Sequence, residues 1–202
     1  MATVKGWAER FRRRRWWWRR LLLLSRDEGS AGTRLNQQEF YAWAYGDLFT
    51  NTTRGVLAEY IVATALGITE TTRSEWNQYD LQFGDVGVEV KSAAYLQSWQ
   101  SRRHSRIVFS RLSGRAWIEG TGDYDTEISY HADVYVFAVL TTKDHASLDP
   151  LSVSQWQFWV CGRAAVEARG SRSLSLAAVM AICGQPATFE ELPEAVLAAS
   201  ER

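Results

Sequence analysis

The run from Asp133 to Leu140 constrains the fold of this chain more than any other segment, because every residue after the aspartate is apolar or aromatic. A strand that is apolar on both faces belongs in the middle of a sheet whose two sides are covered. Other segments have the periodicity of strands or helices. The strand-like ones are Ile107–Phe109 and Gln155–Val160, and the helix-like ones are Ala164–Ala168, Leu174–Ala181 and Phe189–Ala199. Helices that flank several strands within one domain predict a layered α/β fold with a central sheet.

The first 34 residues differ in composition from the rest of the chain. They carry ten Lys or Arg against three Asp or Glu, which leaves residues 35–202 net acidic by seven, since both totals are 23. Phe11–Leu24 is made of Arg, Trp and Leu blocks, and it has neither a signal-peptide cleavage site nor an apolar run long enough to span a bilayer. We expect residues 1–34 to be a flexible extension and linker before one domain over residues 35–202. The alternative is an arm that binds phosphates or a membrane surface.

Cysteine and histidine usage argues against two classes of site. Cys161 and Cys183 form no disulfide framework and no CxxC pair, which is typical of reduced thiols in a cytoplasmic protein. The three histidines lack zinc-ligand spacing. The sequence therefore predicts a cytoplasmic protein without a zinc site or a membrane span.

A predicted helix over Arg54–Leu66 contains one isolated carboxylate. Polar residues 51–53 are suited to cap its start, and Gly67 is suited to cap its end. Glu59 is its only charged residue after Arg54, in a helix that is apolar nearly all round. A buried carboxylate is costly unless it is paired or binds a ligand. Glu59 is therefore a candidate site residue, and the alternatives are a pair with Arg54 or an outward orientation.

Two short runs with period-two alternation predict a β-hairpin. In the first run (YDLQF) the apolar residues share one face and leave Asp80 on the other, and in the second (VEVK) the valines leave Glu89 and Lys91 opposite them. Gly84-Asp85 between the runs suits a two-residue type II′ turn. That turn sets Asp80 directly opposite Glu89, with Cβ atoms about 4.5–5.5 Å apart. The polar face of the hairpin then presents Asp80, Glu89 and Lys91 together.

Two facing carboxylates beside a lysine have the chemistry of a metal-dependent phosphodiesterase. Hard oxygen ligands at that separation bind Mg²⁺ or Mn²⁺, and the ion contacts phosphate oxygens. It polarises the phosphate and lowers the pKa of a bound water, while an ammonium group stabilises developing negative charge. The alternative is a charge cluster on a solvated sheet face, in which Lys91 partly relieves the repulsion between Asp80 and Glu89.

The order of these residues resembles the signature of the PD-(D/E)XK nucleases, the restriction-endonuclease-like superfamily. The matching residues are Glu59 in a helix, Asp80 before a hairpin, and Glu89-Val90-Lys91 on its second strand. Longer segments are similar to an uncharacterised bacterial branch of that superfamily. They are Arg54–Tyr60, Glu89–Trp99 and Ala132–Phe137, and the similarity spans roughly residues 50–160. One departure is Tyr79, which stands where the motif has proline.

The resemblance implies a three-layer α/β/α fold with a central mixed sheet. It implies that Asp80 and Glu89 bind Mg²⁺ or Mn²⁺, with the Val90 carbonyl as a further ligand. Lys91 would position or activate the attacking water, and Glu59 would orient the site or bind a second ion. It also implies an endonuclease that acts on DNA, in restriction or phage defence, and that works as a homodimer.

A stretch without acidic residues lies between Glu89 and Glu119. Its basic residues are Lys91, Arg102, Arg103, Arg106, Arg111 and Arg115. Arginines beside the motif predict contacts to nucleic-acid phosphates, and the candidates for contacts to bases are Gln97, Trp99 and Trp117. The alternative for the arginines is a solvated surface helix and strand edge, and the alternative for Gln97, Trp99 and Trp117 is a packed or simply exposed side chain. The chain has no DNA-reading module, so target recognition must come from loops of this domain or from a partner subunit.

The sequence thus favours a metal-dependent endonuclease that cuts DNA, with RNA left open as a substrate. A nuclease-like module that binds nucleic acid or a protein without cutting is the alternative from a second class. A membrane-surface protein anchored by the Trp/Arg-rich arm is the third.

Overall fold

The computed structural model describes residues 35–69, 72–73, 77–99, 103–118, 121 and 123–201. The chain divides into two units, Met1–Phe40 and Tyr41–Arg202. The extension and linker expected over residues 1–34 lie outside the described residues.

The described residues form five α-helices and eight strands. The helices are α1 Gln37–Tyr45, α2 Asn51–Leu66, α3 Arg163–Glu167, α4 Leu176–Cys183 and α5 Leu192–Ser200. The strands are β1 Leu81–Phe83, β2 Val86–Ala94, β3 Val108–Ser110, β4 Trp117–Ile118, β5 Asp123–Tyr124, β6 Val134–Leu140, β7 Trp156–Gly162 and β8 Ser173–Ser175. No helix in the described ranges combines the length and the apolar character that a bilayer span needs.

The largest sheet has four strands in the order β1-β2-β6-β7. β2 and β6 are parallel, and the other two pairings are antiparallel, so the sheet is mixed, as predicted. β6 lies between two neighbours and all seven of its residues are buried, which confirms the prediction of a central strand over this apolar run. Two small sheets, β3 with β8 and β4 with β5, accompany it.

The side chains of β6 alternate between two hydrophobic clusters, because successive strand residues point to opposite faces. The first cluster joins Val134 and Val136 to apolar residues of α2 and α5. The second joins Tyr135 and Phe137 to residues of β3, β8 and α4. Burial of apolar surface on both faces therefore holds this sheet among helices, and the predicted α/β class is confirmed.

Helix α2 positions one of the candidate site residues and is held by caps at both ends. It begins at Asn51, one turn earlier than predicted, because the Thr50 side chain accepts a hydrogen bond from the Thr53 amide at 3.3 Å. It ends as predicted at Gly67, whose φ of 70° is the left-handed conformation that glycine adopts without strain.

The predicted hairpin is present with the predicted turn. Phe83 pairs with Val86 across Gly84-Asp85, and Gly84 has a φ of 62°, as the first turn position of a type II′ turn requires. The ladder ends at Leu81, which pairs with Val88, so the first strand is two residues shorter than the YDLQF run.

Candidate active site

The structure brings the four predicted side chains together from three places in the chain. Glu59 lies on α2, Asp80 immediately precedes β1, and Glu89 and Lys91 lie on β2. The charges of Glu89 and Lys91 both act on the pKa of Asp80, and the charges of Asp80 and Lys91 act on the pKa of Glu59. These four residues therefore form one electrostatic cluster, which we call the carboxylate cluster.

The Asp80 side chain accepts a hydrogen bond from a backbone amide of β2 that lies beyond the end of the β1–β2 ladder. The Val90 amide donates a hydrogen bond to Asp80 Oδ2 at 2.8 Å. In a continued ladder that amide would pair with Tyr79, because Leu81 already pairs with Val88. In an antiparallel ladder the N–H and C=O of one residue point towards the same neighbouring strand. Because the Val90 N–H points towards Asp80, the Val90 carbonyl lies on the same edge of β2 as the Asp80 carboxylate.

The position of Asp80 makes its ionised form costly. Burial and, after it, the negative charge of Glu89 raise its pKa from 3.8 to about 6. The Val90 amide hydrogen bond and the charges of Lys91 and Arg73 oppose the rise. Asp80 is therefore ionised at neutral pH, but it is held beside a second carboxylate. A divalent cation at this edge would relieve that repulsion.

Glu89 and Lys91 share a face of β2 and form an ion pair. Val88 and Val90 are buried in the first hydrophobic cluster, so the predicted alternation of this strand is confirmed. Tyr135 of β6 pairs with Glu89 across the parallel ladder. Burial raises the pKa of Tyr135, and Glu89 raises it further, so its hydroxyl stays protonated and donates to the Leu112 carbonyl at 3.1 Å.

Glu59 is paired with a residue that the sequence did not indicate. Arg73 donates from Nη2 to Glu59 Oε1 at 3.2 Å and from Nε to the other carboxylate oxygen. Burial raises the pKa of Glu59, and the hydrogen bond from Arg73 opposes this rise. Arg73 is the only Lys or Arg between Arg54 and Lys91. A search for cations near Glu59 in sequence would have found it.

The alternative pairing of Glu59 with Arg54 is wrong. Arg54 is 5% exposed, and its Nε and Nη1 atoms have no hydrogen-bond partner. It lies on the core-facing side of α2, in helical register with Leu57 and Ala58. Burial lowers the pKa of this guanidinium.

The residues predicted to contact nucleic acid are distributed over the segment that follows β2. Arg103, Arg106, Arg111 and Arg115 are exposed, and Arg102 lies outside the described residues. Gln97 donates to the Ala94 carbonyl at 3.1 Å. Trp99 is 56% exposed, whereas Trp117 packs edge-on against Tyr124 at a centroid distance of 5.1 Å. Among the described residues, Glu59 pairs with Arg73 and Glu89 pairs with Lys91.

The carboxylate cluster has three carboxylates against two cations, even when Arg73 is counted with Lys91. In the part of the chain that the structure describes, no three His, Cys, Asp or Glu side chains are grouped as a metal-ion site would require. Two of the three carboxylates, Glu59 and Glu89, face the cations Arg73 and Lys91. Asp80 instead accepts the Val90 amide hydrogen bond.

Comparison of the chain with family models, curated proteins and solved structures found no match. Arguments about function therefore rest on the geometry and electrostatics of the carboxylate cluster.

Proposed function

We propose that this chain is a metal-dependent endonuclease that hydrolyses phosphodiester bonds in DNA. The observation that carries the proposal is the position of the Asp80 carboxylate close to Glu89 and Lys91 at the β1–β2 hairpin. Burial and the negative charge of Glu89 together raise the pKa of Asp80, so the ionised form of this carboxylate lowers the stability of the fold. Such perturbed groups are concentrated at functional sites.

The donor set fits a hard divalent cation. Asp80 and Glu89 supply carboxylate oxygens, and the Val90 carbonyl lies on the same strand edge, so these three groups would hold Mg²⁺ or Mn²⁺. When bound, the ion supplies positive charge at the scissile phosphate and lowers the pKa of a coordinated water. Binding requires Glu89 to exchange its contact with Lys91 for the ion.

Released from Glu89, the Lys91 ammonium is available to the reaction. It lies on the same face as Glu89, where it donates hydrogen bonds to the attacking water or to the developing negative charge on phosphorus-bound oxygens. Glu59 positions the cluster from α2, and Arg73 holds the Glu59 carboxylate in place with two hydrogen bonds. The proposed site thus has three parts: the metal ligands, the lysine that stabilises charge, and the Glu59–Arg73 ion pair that supports them.

The proposal also includes the detailed fold, the assembly and the biological role of the protein. The mixed sheet among helices, with the cluster at its β1–β2 edge, is consistent with a three-layer α/β/α restriction-endonuclease-like fold. A homodimer would present two such sites to the two strands of a duplex, and a partner subunit would supply target recognition. A role in restriction or phage defence is proposed from the resemblance of the motif to that of the PD-(D/E)XK nucleases.

One observation favours a second candidate, a module that binds nucleic acid without cutting it. Glu59 and Glu89 are both already paired with cations, which a stable, purely structural charge cluster would also show. The two candidates differ in what Lys91 does. A binding module loses little when Lys91 is removed, whereas the nuclease loses its activity.

The test is cleavage of supercoiled plasmid, linear duplex, single-stranded DNA and RNA with Mg²⁺, with Mn²⁺ and with EDTA. We expect metal-dependent nicking or cutting of DNA by the wild type. In Lys91→Ala the rate should fall by about 100-fold or more, as when a preorganised charge-stabilising group is removed. Arg169→Ala, which removes an exposed cation on the loop after α3, is the matched control and should cut like the wild type.

Equal cleavage by the wild type and Lys91→Ala would reject the site. Binding of DNA by the wild type without cleavage in either metal would instead support the binding module.

A further inference from the structure

A cleft lies just beyond the carboxyl end of β2. Its volume is about 130 Å³ and it opens to solvent. Most of its lining side chains are aromatic or basic: Tyr95, Trp99, Arg103, His104, Lys143 and His145. They come from two segments, the one that follows β2 and the one that follows β6, which only the fold brings together. We call this feature the aromatic–basic cleft.

The wall of the cleft is built around Tyr95. The Lys143 ammonium lies over the Tyr95 ring, 4.6 Å from its centroid, in a cation–π contact. His104 meets the same ring edge-on, and its Nε2 atom lies 3.2 Å from the Lys143 carbonyl oxygen. The Ser105 amide donates to the Tyr95 carbonyl at 2.8 Å. These contacts hold the two segments of the cleft in a defined arrangement.

The charge of the cleft is opposite to that of the domain around it. Arg103 and Lys143 line it, and among the residues that the structure describes no aspartate or glutamate does. Residues 35–202 as a whole are net acidic by seven. Trp99 adds a large exposed ring, with 56% of its surface accessible. A positive site with an exposed aromatic surface matches a nucleotide, which has a flat base and an anionic phosphate.

The cleft lies near the carboxylate cluster, on the same side of β2. Lys91 and Ala94 are three residues apart on β2, or about 10 Å at the rise of a strand. Tyr95 packs on the second hydrophobic cluster, the side of β2 toward which Glu89 and Lys91 also point. One strand of B-DNA advances about 3.4 Å per nucleotide, so a few nucleotides cover that separation.

We propose that the aromatic–basic cleft binds one unpaired nucleotide of the nucleic-acid strand, with its base stacked on Trp99 and its phosphate against Arg103 and Lys143. The inference rests on the proposed action on nucleic acid for the identity of the strand, but not on cleavage. A flipped, overhanging or bulged nucleotide supplies the required chemistry, because its base face is free to stack. The cleft thus selects DNA with an unpaired position near the scissile bond.

The experiment measures binding without cleavage, with Asp80→Asn protein in EDTA and fluorescently labelled duplexes. Three duplexes of one sequence are compared: fully paired, with a single bulged nucleotide, and with the same bulge made abasic. We expect the bulged duplex to bind about tenfold or more tightly than the abasic one, within the range of base–aromatic stacking. Trp99→Ala should abolish that difference and Trp99→Phe should retain most of it.

Two variants separate the roles in the cleft. Lys143→Ala should weaken binding of the bulged and the abasic duplex alike and lower the salt dependence of binding by about one counterion. Trp43→Ala removes another exposed tryptophan, 86% accessible, and should leave all three affinities unchanged.

Equal affinity for the bulged and abasic duplexes would overturn the inference, and so would base discrimination that survives Trp99→Ala. Tight binding of free deoxyadenosine monophosphate with no binding of any duplex would show a free-nucleotide site and also overturn it. The outcome is distinct from that of the nuclease proposal. Base-dependent binding without cleavage retains the cleft and rejects the nuclease, whereas cleavage without base-dependent binding does the reverse.

Discussion

Replacing Asp80 by asparagine should stabilise the protein while it removes the proposed activity. The side chains have the same shape, and the asparagine amide oxygen still accepts the hydrogen bond from the Val90 amide. What changes is the charge that Asp80 places beside Glu89. The wild type therefore retains an acid that weakens its own fold, which is the expected signature of a residue kept for function.

The size and pH range of the effect follow from the pKa of Asp80, which is raised from 3.8 to about 6. At about 1.4 kcal/mol per pKa unit, this shift lowers the free energy of unfolding by about 3 kcal/mol. Asp80 is only half-buried, so we expect about 1–3 kcal/mol after solvent screening. Between pH 4 and 6 the unfolded chain has lost the proton that the folded chain keeps, so the stability of the wild type falls as pH rises. Asp80→Asn avoids this loss, and its advantage is therefore absent below about pH 4 and complete above about pH 6.

The assay is urea unfolding of the wild type and Asp80→Asn from pH 3.5 to pH 8, with EDTA and with Mg²⁺. Mg²⁺ should stabilise the wild type and narrow its gap to the variant, because the ion binds only the folded protein. Asp85→Asn changes an exposed acid in the turn of the same hairpin and should shift stability by less than about 0.5 kcal/mol.

An Asp80→Asn protein that is less stable than the wild type at pH 8 would refute the electrostatic reasoning. Absence of any Mg²⁺ effect on the wild type would refute the metal assignment.

Three further changes test other parts of the structure. Arg54→Met should raise the free energy of unfolding by about 1–2 kcal/mol in urea, because it removes a buried guanidinium whose Nε and Nη1 have no partner; a loss of stability would reveal a favourable contact. Gly87→Ala should cost about 1–3 kcal/mol and slow cleavage, because the new Cβ would lie 2.6 Å from Cδ1 of the Tyr79 ring beside Asp80; adding Tyr79→Ala should recover part of the stability. Oxidation with diamide should form a disulfide between Cys161 and Cys183, whose Sγ atoms are 2.7 Å apart. Closing a loop of about 22 residues should raise the free energy of unfolding by about 3 kcal/mol. The intact mass shows whether the disulfide forms, and Cys183→Ser should lose the effect.

The members of the carboxylate cluster were found in sequence because most of them share one short hairpin. A two-residue turn sets its own register, so Gly84-Asp85 brings Asp80 near Glu89 and Lys91 without help from distant residues. Glu59 stood out for a different reason, since it is the one charge in the apolar part of its helix. The ladder itself stops one pair short of the predicted pairing, because the Asp80 side chain accepts the hydrogen bond of the Val90 amide.

Arg73 and the aromatic–basic cleft were not predicted because both depend on contacts across irregular chain. Arg73 reaches Glu59 from 14 residues away, after the end of α2, where no periodicity sets the distance. Lys143 meets Tyr95 only because β2 and β6 are parallel neighbours whose carboxyl ends lie at one edge of the sheet. The short strand β8 was predicted as the start of a helix, and its pairing with β3 overrides that local preference.

The sequence by itself therefore determined the elements whose signals are local: the caps that end α2, the hairpin turn, the apolar strand at the centre of the sheet, and the carboxylates and lysine of the hairpin. These depend on residues a few positions apart, whose backbone preferences and side-chain periodicity act over one or two turns. Only the tertiary structure decided which cation pairs with Glu59, how far the pKa of Asp80 rises, and which distant side chains line the cleft. Each of these depends on burial and on charges brought close by packing, and no local pattern encodes that proximity.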